Sequence, residues 1–224
     1  MSTFLFHTKA DHAYHVVRQQ IARGELPAGE PINQEELAAA NGISVTPLRE
    51  AIRRLAAEGF IVLTAHRDAR VAPLSPDEAR SLSEMRAALE SLAAGLAAER
   101  IDTFQRGTLD ALAAQLEPLG EHASEDALEV HRRFHAAIWD AAHNEPLTAT
   151  LGLLWDRADR YRRQGLSEIR GTGSTRRADY EQHLELRDLI LAGEREEAAE
   201  LMRRHIEGSL LSQSVARGDV ADSG

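Results

Sequence analysis

The chain has 224 residues, 43% hydrophobic and 28% charged, with 4% aromatic and no cysteine. That balance suits a folded protein with an Ala-, Leu- and Ile-rich helical core, and it excludes disulfides and thiolate metal sites. The net charge of −10 argues against nucleic acid only if it is spread evenly.

It is not. Residues 1–75 hold eight Lys/Arg and eight Asp/Glu, so the rest of the chain carries the whole excess. Five arginines (Arg49, Arg53, Arg54, Arg67 and Arg70) crowd the end of this neutral stretch, and duplex binding depends on such local phosphate neutralisation. The length suggests two domains. No apolar run reaches the roughly 20 residues of a membrane span, and the N-terminal apolar run is too short for a secretory signal. A soluble, cytoplasmic protein with no membrane partner is expected.

Three short helices are predicted before residue 60. The first runs from about Lys9 to Arg23, with Ala13, Val16, Val17 and Ile21 inward and Gly24 as its stop. The second opens at Asn33, with Glu36 in the capping-box position, and ends at Asn41-Gly42. The third has Ser44 as N-cap and buries Leu48, Ala51, Ile52 and Leu55, spaced i, i+3, i+4, i+7, before Gly59 stops it. A tight turn between the second and third helices is a helix-turn-helix signature.

Ser44, Val45, Thr46, Arg49 and Arg53 then fall at the start and on the outer face of the third helix, where the arginines can reach guanine edges or phosphates. Residues 60–64 and 70–72 read as two strands of a wing, with His66 and Arg67 at its tip. The run PAGEPINQEELAAANGISVTPLREAIRRLAAEGFIVL resembles the GntR family of transcriptional regulators. Ser44, Thr46, Pro47, Arg49, Glu50 and Ala51 match its recognition-helix motif. The chain departs from that pattern where Val45, Glu35 and Asp68 replace two arginines and a glycine, which implies a modified operator sequence or weaker binding, and a wing that departs from the family's minor-groove pattern.

Past a cap at Ser75-Pro76-Asp77-Glu78, helices are predicted over about 77–101, 104–119, 124–142, 145–168, 174–192 and 194–213, with no strand signal. The fold class is therefore mainly α: an N-terminal winged helix-turn-helix over 1–75, then an all-α six-helix antiparallel bundle over 76–213. Residues 214–224 form a polar tail. Leu82, Met85, Leu89, Leu92 and Leu96 make a near-heptad stripe, either core or a dimer face.

Four of the ten histidines fall on apolar helix faces: His131 and His135 at i, i+4, His183, and His205. A single inward histidine is usually a hydrogen-bonded core residue. Four on three helices suit neutral imidazoles converging on a divalent metal, but periodicity alone does not bring the helices together.

The segments RAALESLAAGLAAER, RRFHAAIWDAAHNEPL and QHLELRDLILAGEREEAAELMRRHI resemble the FCD ligand-binding domain of the FadR subfamily. That resemblance implies a metal held by an Asp and three His, mapping onto His135, His183 and His205, with His131 at the Asp position. A four-His site favours Zn(II) or Ni(II) over Mg or Ca; alternatively His131 stands outside the coordination shell. It also implies a small carboxylate effector, for which Arg86 is the candidate clamp unless it only pairs with Glu90 at i+4.

The expected protein is a homodimeric, metabolite-responsive repressor bound to a pseudo-palindromic double-stranded operator. A metal-ion sensor is the alternative. A metal-dependent enzyme is disfavoured by the absence of a nucleophile elbow, an H-E-x-x-H helix or a phosphate loop.

Overall fold

The computed structural model describes residues 8–63, 68–119, 123–168 and 173–209, with the backbone alone at 164–168 and 173–176. The chain forms two compact units, Met1–Ser75 and Pro76–Gly224.

The first unit begins with α1 (Lys9–Ala22), capped by the Thr8 side chain on the Asp11 amide. Its buried face is Ala13, Tyr14, Val17 and Ile21, whereas Val16 is only half-buried. Tyr14 enters the core because its hydroxyl donates to Glu58 Oε2 at 2.6 Å, giving the phenol a partner inside. Strand β1 (Pro31–Ile32) precedes α2 (Gln34–Ala40), and α3 (Val45–Ala57) follows a two-residue turn and Ile43-Ser44. Gly42, at φ +63°, makes that turn without the cost a side chain would bring. Leu48, Ala51, Ile52 and Leu55 are all buried, as their spacing predicts.

The two helix starts differ. Asn33 Oδ1 accepts from the amides of Glu35 and Glu36, so α2 is capped by its side chain. Ser44 occupies the N-cap of α3 but makes no side-chain cap bond. Replacing Asn33 by alanine is therefore expected to lower the stability of this unit by about 1 kcal/mol, and Ser44→Ala by much less. Equal losses in chemical denaturation of the two variants would contradict the difference.

Strands β2 (Ile61–Leu63) and β3 (Ala69–Val71) pair antiparallel, Ile61 opposite Val71. β1 joins the far side of β3, giving the order β1-β3-β2. This third strand was not expected: it is two residues long and its partner is far along the chain. His66 and Arg67 lie outside the described residues.

The second unit contains α4 (Pro76–Arg100), α5 (Thr103–Ala113), α6 (Glu125–Ala141), α7 (Glu145–Glu168), α8 (Gly173–Ala192) and α9 (Arg195–Glu207). Helix α4 is central, touching α6, α7, α8 and α9. Ala93, Ala94, Gly95, Ala97 and Ala98 are all buried, and small side chains there let a neighbour approach closely. A Cβ built on Gly95 would lie 3.4 Å from Ala199 Cβ and from the Arg195 carbonyl, so α4 and α9 pack closely here with room for little more than a methyl group. The Leu/Met stripe is split: Leu82 and Leu96 are buried, while Met85 and Leu92 remain 47% and 46% exposed.

Helix α5 starts at a capping box between Asp102 and Gln105 but ends at Ala113, six residues short of the expected 119. Leu116 and Leu119 are still buried, so apolar spacing continued after the helix had stopped. Helix α9 likewise ends at Glu207 rather than 213, with Gly208 at its C-cap. No helix among the described residues is long and apolar enough to cross a membrane.

Candidate functional site

The second unit brings four imidazoles to one place. His131 and His135 are one turn apart on α6, His183 comes from α8 and His205 from α9. One nitrogen of each ring lies within 4.8 Å of the others. All four rings are buried, His135, His183 and His205 almost completely.

What each ring does with its outer nitrogen fixes its proton. His183 Nδ1 is 2.7 Å from the Asp179 carbonyl, which can only accept, so Nδ1 carries the hydrogen. His205 Nδ1 faces Gln182 Oε1 at 3.1 Å, with the same result. His135 Nδ1 lies 2.8 Å from Glu90 Oε2. Burial alone would push the Glu90 carboxyl up, but the Arg86 guanidinium and His135 overcome it and bring it to about 2, so it is an ionised acceptor.

Burial drives the rings toward the neutral form: His135 falls to about 4 despite Glu90, and His183 is also lowered. His205 and His131 drop well below the usual imidazole range through burial and then the neighbouring His183. Two neutral rings thus present bare lone pairs to each other, with His135 Nε2 3.2 Å from His183 Nε2. Such a contact is repulsive without a cation between them.

The spacing fits one. With metal–nitrogen bonds of about 2.1 Å, neighbouring ligand nitrogens lie about 3.0 Å apart in an octahedral shell and about 3.4 Å in a tetrahedral one. The hydrogen bonds behind the rings are the outer contacts that usually orient metal-bound histidines.

Arg86, predicted either as an effector clamp or as a surface partner of Glu90, is paired but not at the surface. It is 5% exposed, and its Nε and Nη2 both reach Glu90 Oε1 at 2.8 Å. Glu90 therefore ties Arg86 to His135, one oxygen for each. The sequence offers Glu90 only as an i+4 partner of Arg86; its bond to His135 crosses helices and has no sequence signal.

Helix α7 supplies the other unforeseen groups. Trp155 has Arg86 4.6 Å and Arg162 5.3 Å from its ring. Arg162 donates from Nε and Nη2 to Asp159 Oδ1 at 2.9 and 2.6 Å, and its Nη1 lies 3.0 Å from His131 Nδ1. A cavity of about 30 Å³ opens among Arg86, His131, His135, Trp155, Arg162 and His205. That volume admits a water or a bare ion as it stands, and a carboxylate beside the ion would require the lining side chains to move apart.

In the first unit, Thr46, Arg49 and Arg53 are exposed on α3, as is Ser44 before it. Val45 is half-buried and packs on the core, so it projects less than its predicted place on the outer face implies. Arg49 Nε reaches Gln34 Oε1 at 3.3 Å, which couples α3 to the start of α2. Arg54 stays exposed but lies across the Tyr14 ring, its guanidinium 3.8 Å from the ring centre and bonded to Glu58. Arg70 donates to the Gly29 carbonyl. Those two arginines of the basic cluster are engaged within the fold.

Comparison with known proteins agrees with this division. The gntR family of bacterial regulatory proteins matches residues 9–71, and the FCD domain matches residues 81–208. The Nta operon transcriptional regulator of Aminobacter aminovorans is 32% identical over 179 residues, covering 80% of this chain and 82% of its own. The HTH-type transcriptional repressor GlaR of Escherichia coli is 29% identical, covering 86% and 90%. The structure of E. coli McbR/YncC superposes with a TM-score of 0.75 at 20% identity, over 94% of this chain and 97% of that one.

Proposed function

The chain belongs to the GntR family of bacterial transcriptional regulators and carries an FCD domain, and from that premise we propose that it is a cytoplasmic, dimeric repressor whose operator affinity is set by a small carboxylate bound beside a divalent metal. The observation that carries the metal is the His135–His183 contact, where two lone pairs face each other at 3.2 Å. His135, His183 and His205 are the ligands, and the all-nitrogen donor set favours Zn(II) or Ni(II). The bound cation would supply Lewis-acidic positions for a carboxylate. Arg86 and Arg162 also line the cavity, each already paired with a carboxylate, so the cation would carry most of the attraction for an anionic effector.

On the DNA side, the uncapped N-terminus of α3, flanked by Ser44 and Thr46, suits a phosphate. Arg49 and Arg53 read base edges or the backbone, and two copies bind a pseudo-palindrome. Arg49→Ala is expected to weaken operator binding by about 1–3 kcal/mol per half-site, with the fold intact. Footprints of equal strength for wild type and variant would remove helix α3 from the interface.

A second reading, in which the ion itself is the signal, is favoured by the cavity of about 30 Å³. Operator affinity would then change between chelated and zinc-reloaded protein with no organic ligand present. If affinity is the same in both states and changes only when a carboxylate is added, the metabolite reading stands.

A further inference from the structure

We propose that His131 is not a metal ligand but a fixed N–H donor, set by Arg162, that reads an anionic oxygen of the bound effector. This deepens the metal-and-carboxylate reading above and rests on it.

The argument starts from Arg162. A guanidinium has five donors and no acceptor, so the 3.0 Å contact between Arg162 Nη1 and His131 Nδ1 leaves Nδ1 as the acceptor. The single proton of the neutral ring is then on Nε2. This is the opposite tautomer from His135, His183 and His205, whose Nδ1 atoms all face oxygen acceptors. Three rings offer a bare Nε2 to a metal; the fourth has one nitrogen taken and the other protonated.

Arg162 is held firmly. Asp159 Oδ1 accepts from both its Nε and its Nη2, while Asp159 Oδ2 accepts from Arg163 Nε at 2.8 Å. The residue is 8% exposed and lies beside Trp155. For His131 to coordinate through Nδ1, a metal would have to replace this guanidinium on the same lone pair. Coordination through Nε2 would need the ring proton to move to Nδ1, which gives up the bond from Arg162, or to leave altogether. Neither is demanded by the other three ligands.

The consequence is a metal face with three protein nitrogens and open positions, next to a donor that a carboxylate ligand would not have supplied. His131 and Arg162 both line the cavity. Trp155 Nε1, on the same lining residue set and buried, has no hydrogen-bond partner among the described residues. An oxyanion in the cavity meets these donors on the His131 side, while the Asp179 carboxylate, which also lines the cavity, lies against the Nδ1 atoms of His183 and His205 at 3.8 and 3.6 Å.

The experiment reads imidazole tautomers by two-bond proton–nitrogen spectra of the full-length, nitrogen-15-labelled protein, metal-free and with Zn(II). The expected result is a bare Nδ1 and protonated Nε2 at His131 in both states, while Nε2 of the other three rings shifts on adding zinc. A proton on Nδ1 of His131, or a zinc-induced shift of its Nε2, would overturn the inference. If zinc moves no ring, the metal centre fails instead, and the His131 tautomer is still read in the metal-free spectrum.

His131→Asn provides the second arm, since its carboxamide oxygen can still accept from Arg162 but its shorter side chain does not reach the Nε2 position. Its zinc affinity should stay within about threefold of wild type, whereas acetate binding to the zinc-loaded protein should weaken about tenfold. Zinc affinity lost as heavily as in a ligand variant, or acetate affinity left unchanged, would each count against the assignment.

Discussion

Alanine at position 183 is expected to abolish the metal binding proposed for the helical unit. His183 sits against both neighbouring rings, with Nε2 3.2 Å from His135 Nε2 and ring centres 4.3 Å from His205. Structural zinc sites with four ligands are worth about 10–16 kcal/mol, so one imidazole accounts for roughly 3–4 kcal/mol, a loss on the order of several hundredfold in affinity. Elemental analysis after dialysis, together with competition against a chelator, measures it directly. His143→Ala is the control, because that histidine is exposed and bonds Gln105 away from the cluster. Equal metal content in His183→Ala and wild type would remove His183 from the ligand set. Zinc should also raise the thermal midpoint of wild type, by mass action on the folded state, and leave that of the variant nearly unmoved.

The parts legible in the sequence are those with local causes. Asn33, Gly42 and the spacing of Leu48, Ala51, Ile52 and Leu55 each act within a turn or two, so the helix-turn-helix could be read directly. Strand β1 could not, since Pro31 and Ile32 become a strand only by pairing with Arg70 and Ala69. The same distinction explains α4. Its Leu and Met residues suggested a stripe, but a helix surrounded by four others buries its small residues and leaves Met85 and Leu92 half-exposed.

At the site, the histidines were visible because they interrupt apolar faces at helical spacing. Their hydrogen-bond partners were not. Glu90, Asp159, Arg162 and Trp155 have ordinary surroundings along the chain and acquire their roles only across helices. Arg86 shows the limit most clearly. Its i+4 partner was read correctly, but the pair lies in the interior, where removing one member has a different consequence.

That consequence is the second large effect expected. Glu90→Ala should destabilise the helical unit by about 3–5 kcal/mol, because it leaves the Arg86 guanidinium buried without a counter-charge. It also leaves the Nδ1–H of His135 without its acceptor. A surface pair at the same spacing would cost under about 1 kcal/mol, so chemical denaturation separates the two cases.

Glu90→Gln tests the link to the metal more narrowly. The carboxamide keeps the volume and can place its oxygen on only one of the two partners that Glu90 serves. If that oxygen stays on Arg86, the amide nitrogen faces His135 and favours a bare Nδ1, which moves the ring proton to Nε2, the atom turned toward His183. Metal affinity should then fall about 10- to 100-fold, as for other residues that orient a metal-bound histidine. A Gln variant as unstable as the Ala variant but with wild-type zinc affinity would assign Glu90 to holding Arg86 alone. Loss of zinc with most of the stability retained would show that the carboxylate positions the lone pair of His135.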